Sequence, residues 1–496
     1  MRRTHWIAGL VIAGLITAHA QQQGRFDVRS FGAAGDGKAI DTDAINKAIE
    51  AAVGAGGGTV VFHHGTYLAG SIHLKSHVAL FIDQGATIEA GPIDKAPCDA
   101  PEPNQWDKFQ DFGHSHWHNS LMWGENLDDV AIYGTGTIHG STLNRSANAN
   151  SPAGTGNKAI ALKNSRNVTI RDITISHGGH FAILATGVDN LTVDNVKIDT
   201  NRDGIDVDAC RNVRISNMTV NSPFDDGICL KSSYGLGVAR ATENVTITNC
   251  QVSGFDEGTY LDGTFTRTVK YGGARDTGPT GRIKFGTESS GGFKNVTITN
   301  SVFTYCRGLA IETVDGGDTE DITIDNITMR DIANAPIFIR RGNRARTPGE
   351  PPPGTLRRVN ISNIVASGVR DQQGILISGI PNYPIEDVRL SNIRIHYTGG
   401  GTSADAALEP EEKEKDYPEP NMFGRLPTYA LFARHLLGFD VREADFSFDK
   451  SEARPAVQLR DVVRVDMENI RAQKPGTDTH ELLKPVHLAK AVKETF

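Results

Sequence analysis

One phrase recurs along the chain and limits what it can fold into. It reads NVTIRDITI from Asn167, NLTVDNVKI from Asn190, NVRISNMTV from Asn212, NVTITNCQV from Asn244 and NVTITNSVF from Asn295. Looser copies begin at Asp129, Asp321, Val359 and Asp387. The tightest spacing, Asn190 to Asn212, is 22 residues, within the range of solenoid periods. Each copy is two short runs in which Val, Ile or Leu alternates with a polar residue, the pattern of a half-buried strand. The midpoint Asn (195, 217, 249, 300, 326, 363, 392) is a turn residue that tolerates left-handed backbone. Coils stacked in register would stack these amides too. The expectation is an all-β fold, a right-handed parallel β-helix. The Leu-rich consensus of the other solenoid with a similar period is absent, and apolar spacings of 3 and 4, which helix pairs need, are not found.

The rest of the chain fits that frame. With 53 glycines in 496 residues and 38% hydrophobic residues, the composition favours short strands and tight turns over packed helices. A solenoid needs a cap over its open core. The amphipathic stretch from Asp41 to Val53 supplies one as an N-terminal helix, with Asp41 or Thr42 able to cap its start and Gly54 able to end it. Residues 1–20 read as a signal peptide: Arg2 and Arg3, an apolar run from Ile7 to Ile16, then Ala18-His-Ala20, with cleavage near Ala20/Gln21. No later segment is long and apolar enough to span a bilayer. The expectation is a secreted or periplasmic protein, free of the membrane after cleavage. Residues 21–496 then form one domain acting as a monomer, with long insertions near 254–281 and 399–454. The net charge of -8 argues against a nucleic-acid partner but leaves room for a locally basic cleft that binds an acidic glycan. Five cysteines leave at least one thiol free.

Two segments carry chemistry. Asn201-Arg-Asp203-Gly-Ile-Asp206-Val-Asp208 is followed one coil later by Phe224-Asp225-Asp226-Gly-Ile-Cys-Leu-Lys231-Ser. One coil apart means one strand spacing apart, about 4.8 Å. Asp203 should therefore meet the Asp225/Asp226 pair on one face. Crowded carboxylates repel, so one should hold its proton, and an acid paired with a base is what glycoside hydrolysis needs. Asp206 and Asp208 read as backbone-bonding or solvent-facing turn residues.

These segments, with the β-helix repeat, the signal peptide and the opening FDVRSFGAAGDG from Phe26, resemble glycoside hydrolase family 28, the polygalacturonases and rhamnogalacturonan hydrolases. The resemblance implies an inverting hydrolase of acidic, pectin-type polysaccharide or its oligosaccharides. In it Asp225 is the general acid, Asp203 and Asp226 activate the water, and Lys231 stands where the family keeps a lysine. Polygalacturonases continue with Gly-His-Gly and then Arg-Ile-Lys. Here the first position reads Gly281-Arg282-Ile-Lys284-Phe285, without the histidine. The second reads Gly308-Leu-Ala310-Ile-Glu312. The letters Arg282-Ile-Lys284 thus fall a coil too early, though either residue is a candidate to bind substrate.

Glu312 would repel a uronate carboxylate, which points to a neutral sugar such as rhamnose at that place, with the uronate near Arg282, Lys284 or the cluster at Arg340. Trp117 is a candidate for stacking on a sugar or for interior packing, and His180 for lining the catalytic face. His114, His116 and His118 alternate, so they could share one side of a strand and hold zinc. No carboxylate at ligand spacing supports that, and neither metal nor cofactor is expected. Two alternatives remain: a calcium-dependent β-helix pectate lyase, and a non-catalytic glycan-binding β-helix.

Overall fold

A computed structural model describes residues 24–269, 278–370 and 372–496; the expected signal peptide and the middle of the first insertion lie outside them. The chain is a right-handed parallel β-helix. Each coil gives one strand to each of three faces. Around the site the coils run Phe181–Thr186, Asp189–Asp194, Lys197–Asp199, then Asp203–Asp208, Arg211–Ser216, Thr219–Asn221, then Ile228–Ser232, Thr242–Thr248, Gln251–Ser253. Every strand pairs in parallel with its equivalent in the next coil: Phe181 sits opposite Asp203, Leu191 opposite Val213 and Lys197 opposite Thr219.

The alternation seen in the sequence is the inside–outside alternation of these strands. Ile183, Ile205, Ile228 and Ile283 stack in one buried interior column. Each such side chain contributes about 1.5–3 kcal/mol by leaving water. The helix Thr42–Gly54 closes the N-terminal end by burying Ala44, Ile45, Ala48, Ile49 and Ala52. Its start is made differently from the expectation. The Asp41 carboxylate makes no bond to the helix and instead accepts from the backbone N–H groups of Ala34 and Gly35 at 2.7 and 3.1 Å. Thr42 likewise turns to Gly70. The last coil is closed by Val486–Thr495, antiparallel to Val457–Gln473. All five cysteines are buried and unpaired.

The midpoint asparagines 195, 217, 249, 300, 326, 363 and 392 all have left-handed backbone. Their amides bond up the column, as from Asn326 Nδ2 to Asn300 Oδ1 at 2.8 Å. A second ladder, absent from the sequence reading, runs through Asn167, Asn190, Asn212, Asn244 and Asn295, each amide donating to the one before. The second insertion is shorter than expected. Its end lies near residue 430, because Leu431–Lys450 is a continuous strand of the solenoid.

The outer ladder gives a test that separates backbone from side chain. Asn217 has φ of 57° and donates to Asp194. Asn217→Ala should cost about 1–2 kcal/mol, because alanine pays for the left-handed conformation. Asn217→Gly should cost clearly less, since it loses the amide bond but not the backbone freedom. Thermal midpoints of the two variants would show this order.

Candidate active site

Asp203 begins the strand Asp203–Asp208, and Asp225 and Asp226 lie in the turn before Ile228–Ser232. The coil-to-coil step is 22 residues from Phe181 to Asp203 but 23 from Asp206 to Cys229. That extra residue puts Asp226, not Asp225, in line with Asp203, and Gly204 N–H donates to the Asp226 carbonyl. Each of the three carboxylates offers an oxygen within 4.8 Å of the others.

Their surroundings differ. Asp203 has a side chain only 3% exposed, and burial, Asp225 and Asp206 push its carboxyl well above the ordinary value. Burial also pushes Asp226 up, but Lys284, Arg282 and Lys231 outweigh it and hold Asp226 below the usual carboxylate range. Arg282 Nε donates to Asp226 at 2.9 Å, and Lys284 Nζ lies 3.4 Å from it. Asp225 is the most open of the three, with 25% of its side chain exposed, and is held by Arg202. The arrangement therefore contains one carboxyl disposed to keep a proton and one disposed to stay ionised, with oxygens within 4.8 Å of each other.

Arg282 and Lys284 lie in the coil directly after Asp226, with Lys284 opposite Cys229 on one side and Ala310 on the other. Their place is thus inside the site, not accidental. Glu312 does not face the pocket. It is fully buried beneath them, with carboxylate oxygens 4.0 Å from Arg282 and 3.5 Å from Lys284, and burial pushes it up to about 7 against their pull. A repulsion between Glu312 and substrate is therefore not direct.

The second insertion completes the pocket. Glu419 accepts from Arg282 and, at 3.0 Å, from Arg307. The Tyr417 hydroxyl accepts from Thr287 Oγ1 at 2.8 Å and from Lys284 Nζ at 3.5 Å, and the residue is 53% exposed. A cavity of about 380 Å³ is lined by Phe224, Asp225, Asp226, Thr280, Lys284, Arg307, Tyr417 and Glu419, among others. The insertion is anchored by Phe423 and Leu426 packed on Phe338, Leu376 and Phe432.

Arg340 belongs to that anchor and not to the sugar site. It is 1% exposed, donates to the Glu412 and Lys413 carbonyls and to Ser378, and lies over the Phe423 ring. Trp117 is also fully buried. Its indole donates to Thr186 Oγ1 at 3.0 Å and Lys163 covers its ring, so it offers no face to a sugar.

Lys231 backs the trio, 3.2 Å from Glu288 and 3.7 Å from Asp206. Asp206 is fully buried and bonds His114 Nε2 at 3.0 Å, so it is part of the site's support and not a solvent-facing turn residue; Asp208 accepts from Ser233. His180 lies 3.9 Å from Asp203, and burial, Arg202 and His114 hold it well below its ordinary value, hence neutral. The three alternating histidines part company. His114 ends a 3-10 turn, His116 bonds the Glu102 carbonyl and His118 stacks on Trp123.

The sequence reading missed Arg202, Phe224, Arg307, Tyr417 and Glu419. Tyr417 and Glu419 sit in the YPEPNMFG stretch of the second insertion, where the apolar residues are the only sequence signal of packing against the solenoid.

Residues 127–270 match the family model described as "Right handed beta helix region", and residues 25–92 match "Rhamnogalacturonase A/epimerase, pectate lyase-like". A Vitis vinifera protein named "Probable polygalacturonase" is 26% identical over 397 residues, 74% of this chain and 73% of its own length. The chain is thus similar to polygalacturonases and shares the pectin-lyase-like right-handed β-helix fold. "Plasmin and fibronectin-binding protein A" of Streptococcus pneumoniae is 36% identical over 191 residues, 37% of this chain and 25% of that protein. The crystal structure of a hyperthermoactive exopolygalacturonase from Thermotoga maritima superposes with a TM-score of 0.63 at 18% identity, covering 95% of each chain, a likeness of fold.

The trio is also the group of carboxylates that a cation would seek. Two of its members already carry internal cations, Asp225 with Arg202 and Asp226 with Arg282 and Lys284. A divalent ion would have to sit against those charges. The thermal midpoint should therefore be the same in EDTA and in calcium. A calcium-dependent rise would assign the trio to metal binding.

Proposed function

We propose that the protein is a pectin-degrading glycoside hydrolase in which Asp203, Asp225 and Asp226 carry the proton transfers. The observation that carries this reading is the approach, within 4.8 Å, of a carboxyl raised above its ordinary value and one lowered below it, the second lining an open pocket. Asp226, kept ionised by Arg282 and Lys284, activates the water. Asp203 holds the trio's proton and passes it to Asp225. Asp225, the exposed member, delivers it to the leaving oxygen, and Arg202 then holds the carboxylate left behind. This differs from the simplest carry-over of family roles, because Asp203 is too readily protonated to act as a second base. Inversion at the anomeric carbon follows from the family resemblance. We further propose that the protein is exported by its N-terminal segment and acts as a monomer.

The preferred substrate is a rhamnogalacturonan-type chain or oligosaccharide, with a neutral sugar in the pocket, ahead of galacturonan-derived oligosaccharides. Each cation lining or flooring that pocket already has an internal carboxylate: Arg282 has Asp226 and Glu419, Lys284 has Asp226 and Glu312, and Arg307 has Glu419. A uronate there would meet the Glu419 carboxylate, whereas a neutral sugar's hydroxyls can donate to it. The covered coils on the C-terminal side shorten the groove and favour attack at chain ends or on oligosaccharides. A calcium-dependent lyase is disfavoured by the internal cations at the trio.

Each of Asp203→Asn, Asp225→Asn and Asp226→Asn should lower turnover by on the order of 100-fold or more. The pH profile of kcat/KM has a signed expectation. Activity should hold as pH falls until Asp226 protonates, below the ordinary aspartate value of about 3.9, and should fall as pH rises through the raised value of the Asp203 pair. Wild-type turnover in Asp225→Asn, or an acid limb above the ordinary carboxylate range, would remove the assignment.

Rhamnogalacturonan I oligosaccharides should be cleaved faster than homogalacturonan. Glu419→Gln should shift that ratio toward homogalacturonan by about 10-fold, the value of one released charge-assisted bond. Faster cleavage of homogalacturonan by the unaltered enzyme would overturn the substrate preference.

A further inference from the structure

On the other flank of the trio the charge balance is reversed. A second cavity of about 380 Å³ is lined by residues 140–145, with His177, Gly179, Asn201 and Glu257. It adjoins the catalytic turns through Asn201, two residues before Asp203, and through Phe224, directly before Asp225. The Phe224 ring is 54% exposed and lines the first cavity, while the Arg145 guanidinium, which lines the second, lies 5.7 Å from that ring's centroid. Phe224 thus stands between the two cavities.

Three features of the second cavity point to a ligand. Arg145 is exposed and lies over the Phe224 ring, with no ion pair to it among the described residues. The other charges are matched: His177 bonds Glu257 at 2.8 Å, and that bond raises the imidazole above its ordinary value so that the pair is internally neutralised. Asn201 is 6% exposed, and its Oδ1 has no hydrogen-bond partner. A buried acceptor left without a donor is uncommon, and a hydroxyl entering from the cavity that Asn201 lines would satisfy it.

We infer that Arg145, Phe224 and Asn201 form a subsite for a hexuronate unit of the substrate. The guanidinium takes the uronate carboxylate, in two parallel bonds where the geometry allows. The ring carries the apolar face of the sugar, and Asn201 Oδ1 accepts from a hydroxyl. The volume is within the usual range for small-ligand pockets, about 300–1,000 Å³. This rests on the reading of the trio as a pectic hydrolase centre. It adds that the two flanks read opposite chemistry, a uronate toward Arg145 and a neutral sugar toward Glu419, as an alternating acidic–neutral backbone requires.

The test is equilibrium binding to the whole protein by calorimetry. The probes are D-galacturonate and D-galactose, which differ in a carboxylate against a hydroxymethyl group and contain no bond to cleave. The unaltered protein should bind galacturonate about 10-fold or more tightly than galactose, with a preference that falls as salt is added. Arg145→Gln should abolish the preference, Arg145→Lys should keep part of it, and Phe224→Ala should weaken both sugars alike. Absence of saturable galacturonate binding, or unchanged galacturonate affinity in Arg145→Gln, would overturn the subsite. Binding needs no turnover, so the two readings fail separately. Arg145-dependent binding without hydrolysis of any pectic chain removes the activity and leaves the subsite. Hydrolysis with Arg145-independent binding does the reverse.

Discussion

Everything at this site depends on coil-on-coil registration. In a parallel β-helix each residue lies one strand spacing above its equivalent, so the number of residues per coil decides which side chains meet. The step from the Phe181 coil to the Asp203 coil is 22 residues, and the next is 23. That one residue aligns Asp226 with Asp203 and displaces Asp225 onto the turn. The displacement separates three chemically identical groups into a buried one, a cation-locked one and an exposed one. Local sequence alone would not distinguish them; the extra residue in the turn does.

The same registration explains how the basic residues reached the site by an unexpected route. In the polygalacturonase pattern the Arg-Ile-Lys segment follows the histidine coil. Here Arg282 and Lys284 occupy the coil next to Asp226, and the following coil supplies Ala310 and Glu312. The basic pair has moved one coil toward the N-terminus, and Glu312 lies under it as a counter-charge. A motif comparison reads this as a missing pair plus a stray match. In three dimensions it is one rearranged cluster, because side chains on neighbouring coils are as close as side chains on one strand.

Much of the fold was legible from the chain. The alternating runs around Asn195, Asn217 and Asn249 fixed the strands and their turns, since left-handed backbone strongly favours Asn over branched residues. The capping helix was visible for the same reason of periodicity, although Asp41 bonds Ala34 and Gly35 instead of the helix. The trio was legible because its members fall on adjacent coils. Glu419, Tyr417 and Arg145 were not, because loops have no period, and nothing in their sequence states over which coil they fold. Arg340 and Trp117 misled for a related reason. Each is a residue type common in sugar sites, but burial is set by what covers it, here Phe423 for the arginine and the segment around Glu102 for the tryptophan.

A buried network of this size is hard to justify by stability. Desolvating Arg282, Lys284, Asp226, Glu312 and Glu419 together costs several kcal/mol per ion before pairing returns any of it, and well-packed apolar residues would often serve the fold as well. What the network does provide is a fixed field. Charges held in place by one another need no reorganisation when charge develops on a bound sugar, and they act in a pocket from which much of the water is excluded. Glu312, pushed up to about 7 by burial against the pull of Lys284 and Arg282, is a member whose charge can change near neutral pH in response to what enters above it. A ligand carboxylate in the pocket would favour protonation of Glu312, and a neutral sugar would leave it as it is. Above about pH 7, where Glu312 is ionised, the cluster is therefore balanced for a neutral occupant, and an anion entering the pocket would draw a proton onto Glu312.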